Sequence, residues 1–270
     1  MPFPYASPDR VKSLGKELAG KMSPKLGRIF GSMEKKHLVT VGSSDKMYYG
    51  SFQIYLNSCD SPYIFVNGEG SEYDVLTLMH EFGHFTSAYY NHGSTGGNDE
   101  AEVASSALEL LTLKYADGVF DSETAASIGK SGILSIISSL VECAAYSEFE
   151  NLVYSDKALT AEKCNGYFRQ VAEEYGISGG DGGYLYWVMV NHLFEYPYYV
   201  AGYSVSADVA LQIYESCDGS IDPYLDFIKL ARSGSFSDNI KTAGLESPFS
   251  EGRAEKAAAV IQKLTEKYFS

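Results

Sequence analysis

At 270 residues the chain can bury one substantial core, or at most two modest ones. A formal net charge of −14 argues against nucleic acid or an anionic membrane surface as a partner. Four scattered cysteines (Cys59, Cys143, Cys164, Cys217) lack Cys-x-x-Cys spacing, residues 1–5 show no basic segment leading into an apolar run, and the best apolar stretch, residues 133–141, is broken by serines. The expectation is a cytoplasmic protein with no signal peptide and no membrane span.

Ser7-Pro8-Asp9 signals a helix start, with Ser as N-cap and Pro in the first turn, and predicts a helix to about residue 18. Ser23-Pro24 opens a second, to about residue 36; both are expected to be supporting helices. Residues 48–56 (YYGSFQIYL) and 63–66 (YIFV) are rich in aromatic and β-branched side chains and predict two strands joined by the turn-rich residues 57–62. Asn67-Gly68-Glu69-Gly70 then turns the chain, and Ser71 is expected to cap a helix, with Asp74 at the capping-box position. That helix runs to about residue 90. Beyond a Gly-rich loop at residues 91–98, Asp99 or Glu100 opens another helix, EAEVASSALELLTLKYA. Helices follow over residues 133–154 and 160–175, the latter capped by Thr160. A second Gly-rich loop, residues 176–183, precedes helices near residues 185–194, 200–216, 223–232 and 251–269. With no internal repeat or low-complexity linker, residues 1–270 read as one mostly helical domain with a small β element.

Within the helix after Ser71 lies His80-Glu81-Phe82-Gly83-His84, an H-E-x-x-H pattern. Residues i and i+4 share a helix face, so both imidazoles can reach one ion, with Glu81 beside it as a base for a bound water. Zinc suits such a set, since it accepts His nitrogens and a carboxylate and keeps a fourth position open in catalytic sites. Val75, Leu78, Met79, Phe82 and Phe85 form an apolar stripe, while His80 and His84 fall on a different face.

The motif supplies two ligands only. In the extended pattern H-E-x-x-H-x-x-G-x-x-H the third is a His, but here the Gly position is Ser87 and the His position Tyr90. His92 lies nearby at the wrong offset. A Glu on the following helix is the other solution, with Glu100, Glu102 and Glu109 as candidates. Glu102 is favoured because Val103-Ala104-Ser105, mostly small, would let that helix come close to the first. Glu109, seven residues on, shares its face and is either a partner that orients a ligand or a solvent-exposed helix carboxylate.

The blocks Met79–Phe85, Ala101-Glu102-Val103-Ala104-Ser105 with Glu109-Leu110, and Asn191-His192 through Pro197-Tyr198-Tyr199-Val200-Ala201-Gly202-Tyr203 together resemble the oligoendopeptidase F and thimet oligopeptidase family of zinc peptidases. The resemblance implies a mainly α fold, a helical zincin-like (gluzincin) catalytic domain with a small β element before the H-E-x-x-H helix. It implies one zinc ion per chain, held by His80, His84 and Glu102, with Glu81 as general base. It implies His192 and Tyr203 as donors to the substrate carbonyl or the tetrahedral oxyanion, and Tyr199 as part of the substrate site. The middle Tyr of the family's last block is Ala201 here, Ser87 stands where the family often has a His, and the spacing from His84 to Glu102 is shorter. Family members are also much longer; the resemblance runs from about Ser7 onward and corresponds to their C-terminal catalytic part, without the helical N-terminal region.

The function expected is a zinc-dependent endopeptidase hydrolysing short oligopeptides, with zinc-bound water activated by Glu81. The strands before the motif would lay a peptide backbone across the metal by edge pairing, or else simply brace the helix. Residues 176–183 are a candidate hinge or a plain loop. The alternatives are a catalytically inactive or partner-dependent peptide-binding domain that keeps the fold, and a zinc hydrolase acting on a non-peptide amide.

Overall fold

The computed structural model describes residues 3–94, 96–179 and 183–269. Ser7 and Ser23 act as read. Ser7 Oγ accepts from the Arg10 N–H at 3.2 Å to start α1 (Pro8–Met22), and Ser23 Oγ accepts from Lys25 N–H at 3.1 Å to start α2 (Pro24–Lys35). Both helices begin with Pro, whose missing N–H costs nothing in a first turn. Their inner faces, including Leu14, Leu18, Leu26 and Phe30, are fully buried.

Three strands follow: β1 (Val39–Gly42), β2 (Phe52–Leu56) and β3 (Ser61–Asn67). The sheet order is β1-β3-β2, with β1 parallel and β2 antiparallel to β3. The alternation of β3 sends Pro62, Ile64 and Val66 into the core. Two differences from the sequence reading have local causes. β2 starts at Phe52 rather than Tyr48, because Gly50 sits at φ 108° and breaks the extended run. β1 was not anticipated; four residues ending in Gly carry too little alternation to stand out. Its parallel pairing leaves β2 as an edge strand.

The motif helix α3 (Asp74–Tyr90) begins three residues after Ser71, so Ser71 is not its cap. The Asp74 carboxylate instead accepts backbone N–H groups from Glu69 (3.0 Å), Gly70 (2.8 Å) and Ser71 (3.2 Å), fixing the turn that leads from the sheet into the helix. The apolar stripe from Val75 to Phe85 is buried as expected. Helix α4 (Asn98–Tyr115) lies against α3, and Glu100 Oε2 accepts from Gly97 N–H at 2.9 Å at its start.

Helix α5 (Ser122–Ser155) starts eleven residues before the expected residue 133, under an Asp121 cap that accepts from Glu123 and Thr124 N–H. At 34 residues it is, among the described residues, the one helix long and apolar enough by length and composition to cross a membrane, contrary to the sequence reading. In this structure it packs against α6 (Ala161–Glu174, capped by Thr160), α8 (Tyr199–Ser216) and α11 (Arg253–Phe269).

The helix expected over residues 185–194 does not form. Residues Gly183–Met189 are 3-10 structure, and α7 (His192–Glu195) is a single turn before Pro197. Tyr184, Tyr186 and Trp187 pack onto a small second core of Tyr146, Phe149, Phe168 and Val200, an all-round anchoring that a one-faced helix could not provide. The candidate hinge, residues 176–183, falls partly on residues 180–182, outside those described. Helix α8 is entered through Tyr198 at φ 60°, whose N–H donates to Glu150 Oε1 at 2.8 Å. Two α8 serines tie it down: Ser204 Oγ donates to the Leu140 carbonyl of α5 at 3.0 Å, and Ser206 Oγ to the Asp99 carbonyl of α4 at 2.9 Å. Helix α9 (Asp222–Ile228) continues as 3-10 structure to Arg232, and α10 (Phe236–Thr242), also unanticipated, opens on a Ser235–Asp238 capping box.

Candidate metal centre

Helices α3 and α4 approach unusually closely because of Gly83, inside the motif. A Cβ there would overlap the Ala104 carbonyl and Ser105 Cα, so only Gly lets α4 lie against this turn. The approach brings Glu102 opposite the two imidazoles. Glu102 Oε2 lies 3.7 Å from His80 Nε2 and 3.8 Å from His84 Nε2, and one ligand atom from each residue falls within 4.8 Å of the others. Four tetrahedral donors on bonds of about 2.1 Å stand roughly 3.4 Å apart, so a small contraction around a zinc-sized ion completes this set. Glu100, turned to its capping role, and His92, at φ 50° in the turn after α3, take no part in the cluster.

Each of the three candidate ligands is held from behind. Glu109 Oε2 sits 3.1 Å from His80 Nδ1, which leaves Nε2 facing Glu102. Ser105 Oγ lies 3.2 Å from Glu102 Oε2. The Ala101 backbone hydrogen-bonds to His84.

The charges divide unevenly. Burial opposes a charged His80 ring, but the Glu109 hydrogen bond and charge, with Glu102 and Glu81 adding to them, outweigh it and push His80 up to about 9. Burial and the neighbouring His80 push His84 down to about 3, leaving a neutral ring ready to ligate. Burial raises Glu102. Burial also lifts Glu81 to about 7, against the pull of His80 and with help from Glu102, and its Oε2 is buried without a protein partner. Two imidazoles, one carboxylate and an unsatisfied carboxylate oxygen beside them fit a divalent cation of zinc type.

The centre opens into a cleft of about 470 Å³ whose lining joins the ligand residues and Glu81 to both remaining parts of the sequence reading. On one side stand His192, Tyr199 and Tyr203, packed together ring against ring: centroids are 4.6 Å apart for the tilted His192–Tyr199 pair, 5.5 Å for the edge-to-face Tyr199–Tyr203 pair and 6.1 Å for the tilted His192–Tyr203 pair. Burial, reinforced by the charge of Glu102, holds the Tyr203 phenol far above its usual range, so it stays a proton donor. On the other side stand Ser51, Phe52 and Gln53, at the start of edge strand β2. His192 Nδ1 and Gln53 Nε2 are buried and unpartnered. All seven anticipated site residues therefore meet at one cleft. Sequence reasoning missed Gln53, Ser105 and the role of Gly83; a Gly at the centre of an otherwise strong helix pattern was the available signal.

Residues 40–258 match the model of peptidase family M3. Curated relatives include oligopeptidase PepF of Bacillus subtilis (strain 168), 28% identical over 227 residues, and the chromosomal oligoendopeptidase F of Lactococcus lactis subsp. cremoris, 26% identical over 231 residues. Each alignment covers 76% of this chain, but 33% of the first relative and 38% of the second. Among solved structures, PZ peptidase A with an inhibitor superposes with a TM-score of 0.87 at 20% identity, covering 98% of this chain and 50% of that one. A Bacillus anthracis protein described as an oligoendopeptidase F gives 0.81 at 21% identity, covering 99% and 47%. The chain thus spans about half the length of these structures or less of the curated relatives, and with most of its own length matched it belongs to peptidase family M3.

Proposed function

We propose that this chain is a catalytic domain of a zinc-dependent endopeptidase that hydrolyses short oligopeptides. The observation that carries the proposal is the convergence of His80, His84 and Glu102 beside the buried, unpartnered Glu81 carboxylate, in a cleft bounded by a free strand edge. Zinc bound by those three residues would supply Lewis acidity, polarising a scissile carbonyl and making water more acidic.

The chain's own groups account for the remaining steps. An extended peptide pairs with the open edge of β2, whose backbone groups read no side chains and so tolerate mixed sequences. Gln53, at the start of that edge, lines the same cleft, and its Nε2 is buried there without a protein partner. Glu81, poised near neutrality, takes a proton from the attacking water and delivers it to the leaving amine. Tyr203 and His192 donate to the carbonyl oxygen as it gains charge; losing one such donor costs about 2.7–4 kcal/mol of transition-state stabilisation. Tyr199, tilted against His192 and edge-to-face with Tyr203, braces both rings and borders the substrate. Four free thiols accord with a cytoplasmic setting for this activity.

The test is zinc content measured together with hydrolysis of a quenched mixed-sequence peptide, for wild type and Glu81→Gln. Near-stoichiometric zinc in both, with turnover in wild type only, is the expected result. Zinc in both with turnover in neither favours a binding domain that keeps the fold without catalysis. Absence of zinc from both would defeat the ligand assignment.

A further inference from the structure

On the α5 side of His80 and Tyr203 lies a second, smaller recess of about 110 Å³, and those two side chains line both it and the main cleft. Its polar wall is Ser106, Glu109, Ser135 and Ser139; Leu110 and Ile136 supply the apolar part. The three serines are half-buried. Glu109 already gives Oε2 to His80.

Stability alone does not account for this space. Around the recess α5 buries Ile133 and Ile136, yet toward the metal centre it presents Ser135 and Ser139, one helical turn apart. A Leu at either position would fill the recess and bury apolar area. The fold keeps it open instead.

We propose that this recess is the pocket for the side chain of a residue flanking the scissile bond, and that it selects short, uncharged side chains (Ala, Ser, Thr, Asn). The proposal rests on the peptidase reading above and adds the substrate preference. Size sets the upper limit: at about 110 Å³ the recess is smaller than the engineered cavity of about 150 Å³ that takes benzene, so it favours side chains smaller than phenyl or indole. Charge sets the second limit. Glu109 lines the recess directly, so an acidic side chain entering there meets another carboxylate and is disfavoured. The serine hydroxyls, which donate and accept, favour Ser, Thr and Asn over an alkyl chain of the same length.

Recognition and turnover are read separately. Zinc-supplemented wild type is incubated with a mixed-sequence peptide pool and its cleavage sites are mapped by mass spectrometry. Immobilised, zinc-supplemented Glu81→Gln captures peptides from the same pool. At one position flanking the cleavage site, Ala, Ser, Thr and Asn are expected to exceed Phe, Trp, Asp and Glu by about tenfold or more. Captured peptides should carry the same bias. Ser135→Leu and, independently, Ser139→Leu, each checked for a parent-like melting temperature, should narrow both sets toward Gly and Ala and raise KM for Ser- and Thr-containing peptides. Selective capture without any cleavage would support the pocket while defeating the hydrolase reading. Cleavage and capture profiles unchanged in both Leu variants, or no capture at all, would overturn the pocket and leave a water-filled recess.

Discussion

Three glutamates of α4 do three different things, and their surroundings decide which. Glu100 accepts from the Gly97 N–H that the helix leaves unpaired, Glu102 faces the two imidazoles, and Glu109 takes His80 Nδ1. If Glu109 orients the His80 ring and strengthens Nε2 as a metal donor, Glu109→Gln keeps a hydrogen-bond acceptor but removes the negative charge. Outer partners of this kind typically affect metal affinity by about 10–100-fold, so zinc affinity in a chelator-competition titration should fall within that range. Unchanged affinity would make Glu109 a bystander. At this scale the sequence carried most of the site. The i,i+4 spacing identified His80 and His84, and the small residues after Glu102 favoured it among the three glutamates. What it could not supply was Gln53 and Ser105, whose contributions depend on contacts between elements distant in the chain.

At the scale of elements, the closeness of α3 and α4 is the feature on which the ligand set depends. Gly83→Ala adds a single methyl group where the Ala104 carbonyl and Ser105 already sit. Neither obstacle is a flexible side-chain end, so the helices must separate. The expected destabilisation is about 1–3 kcal/mol, seen as a lower denaturant midpoint, with zinc content falling as Glu102 is carried away from the imidazoles. A variant of wild-type stability and full zinc content would show that the interface can yield. The same scale explains which elements were legible. Helices opened by Ser7, Ser23 and Thr160 carried capping chemistry in the sequence itself, and all three caps are present. The stretch from Gly183 to Glu195 is apolar enough to suggest a helix, but its aromatic side chains are spent on a second small core, so packing overrode the local pattern. Asp74 shows the reverse case: its place in the capping pattern was visible, but not its three backbone donors, which anchor the turn rather than making Ser71 a cap.

For the whole molecule, the candidate metal site joins two helices that also carry the main core, so occupancy and global stability should be coupled. His80 and His84 sit on α3 and Glu102 on α4, and the buried apolar residues of both helices, Ala88 apart, belong to one hydrophobic cluster. Unfolding separates the ligands, so a cation that binds the assembled set adds its binding free energy to the folded state. With free zinc held about 100-fold above its dissociation constant the gain is about 2.7 kcal/mol, and for a chain of this size that corresponds to roughly 5–10 °C in melting temperature. Chelation should therefore lower the melting temperature by that amount, and zinc, supplied in excess of the chelator, should restore it. Glu102→Ala supplies the control, because it removes a ligand while leaving the α3–α4 contact at Gly83 in place. In that variant the chelator-dependent shift should shrink toward zero. A wild-type melting temperature indifferent to both chelator and zinc would mean that the three side chains converge without holding an ion, and would remove the foundation of the hydrolytic reading. A shift of equal size in Glu102→Ala would instead move the metal to other ligands in the chain.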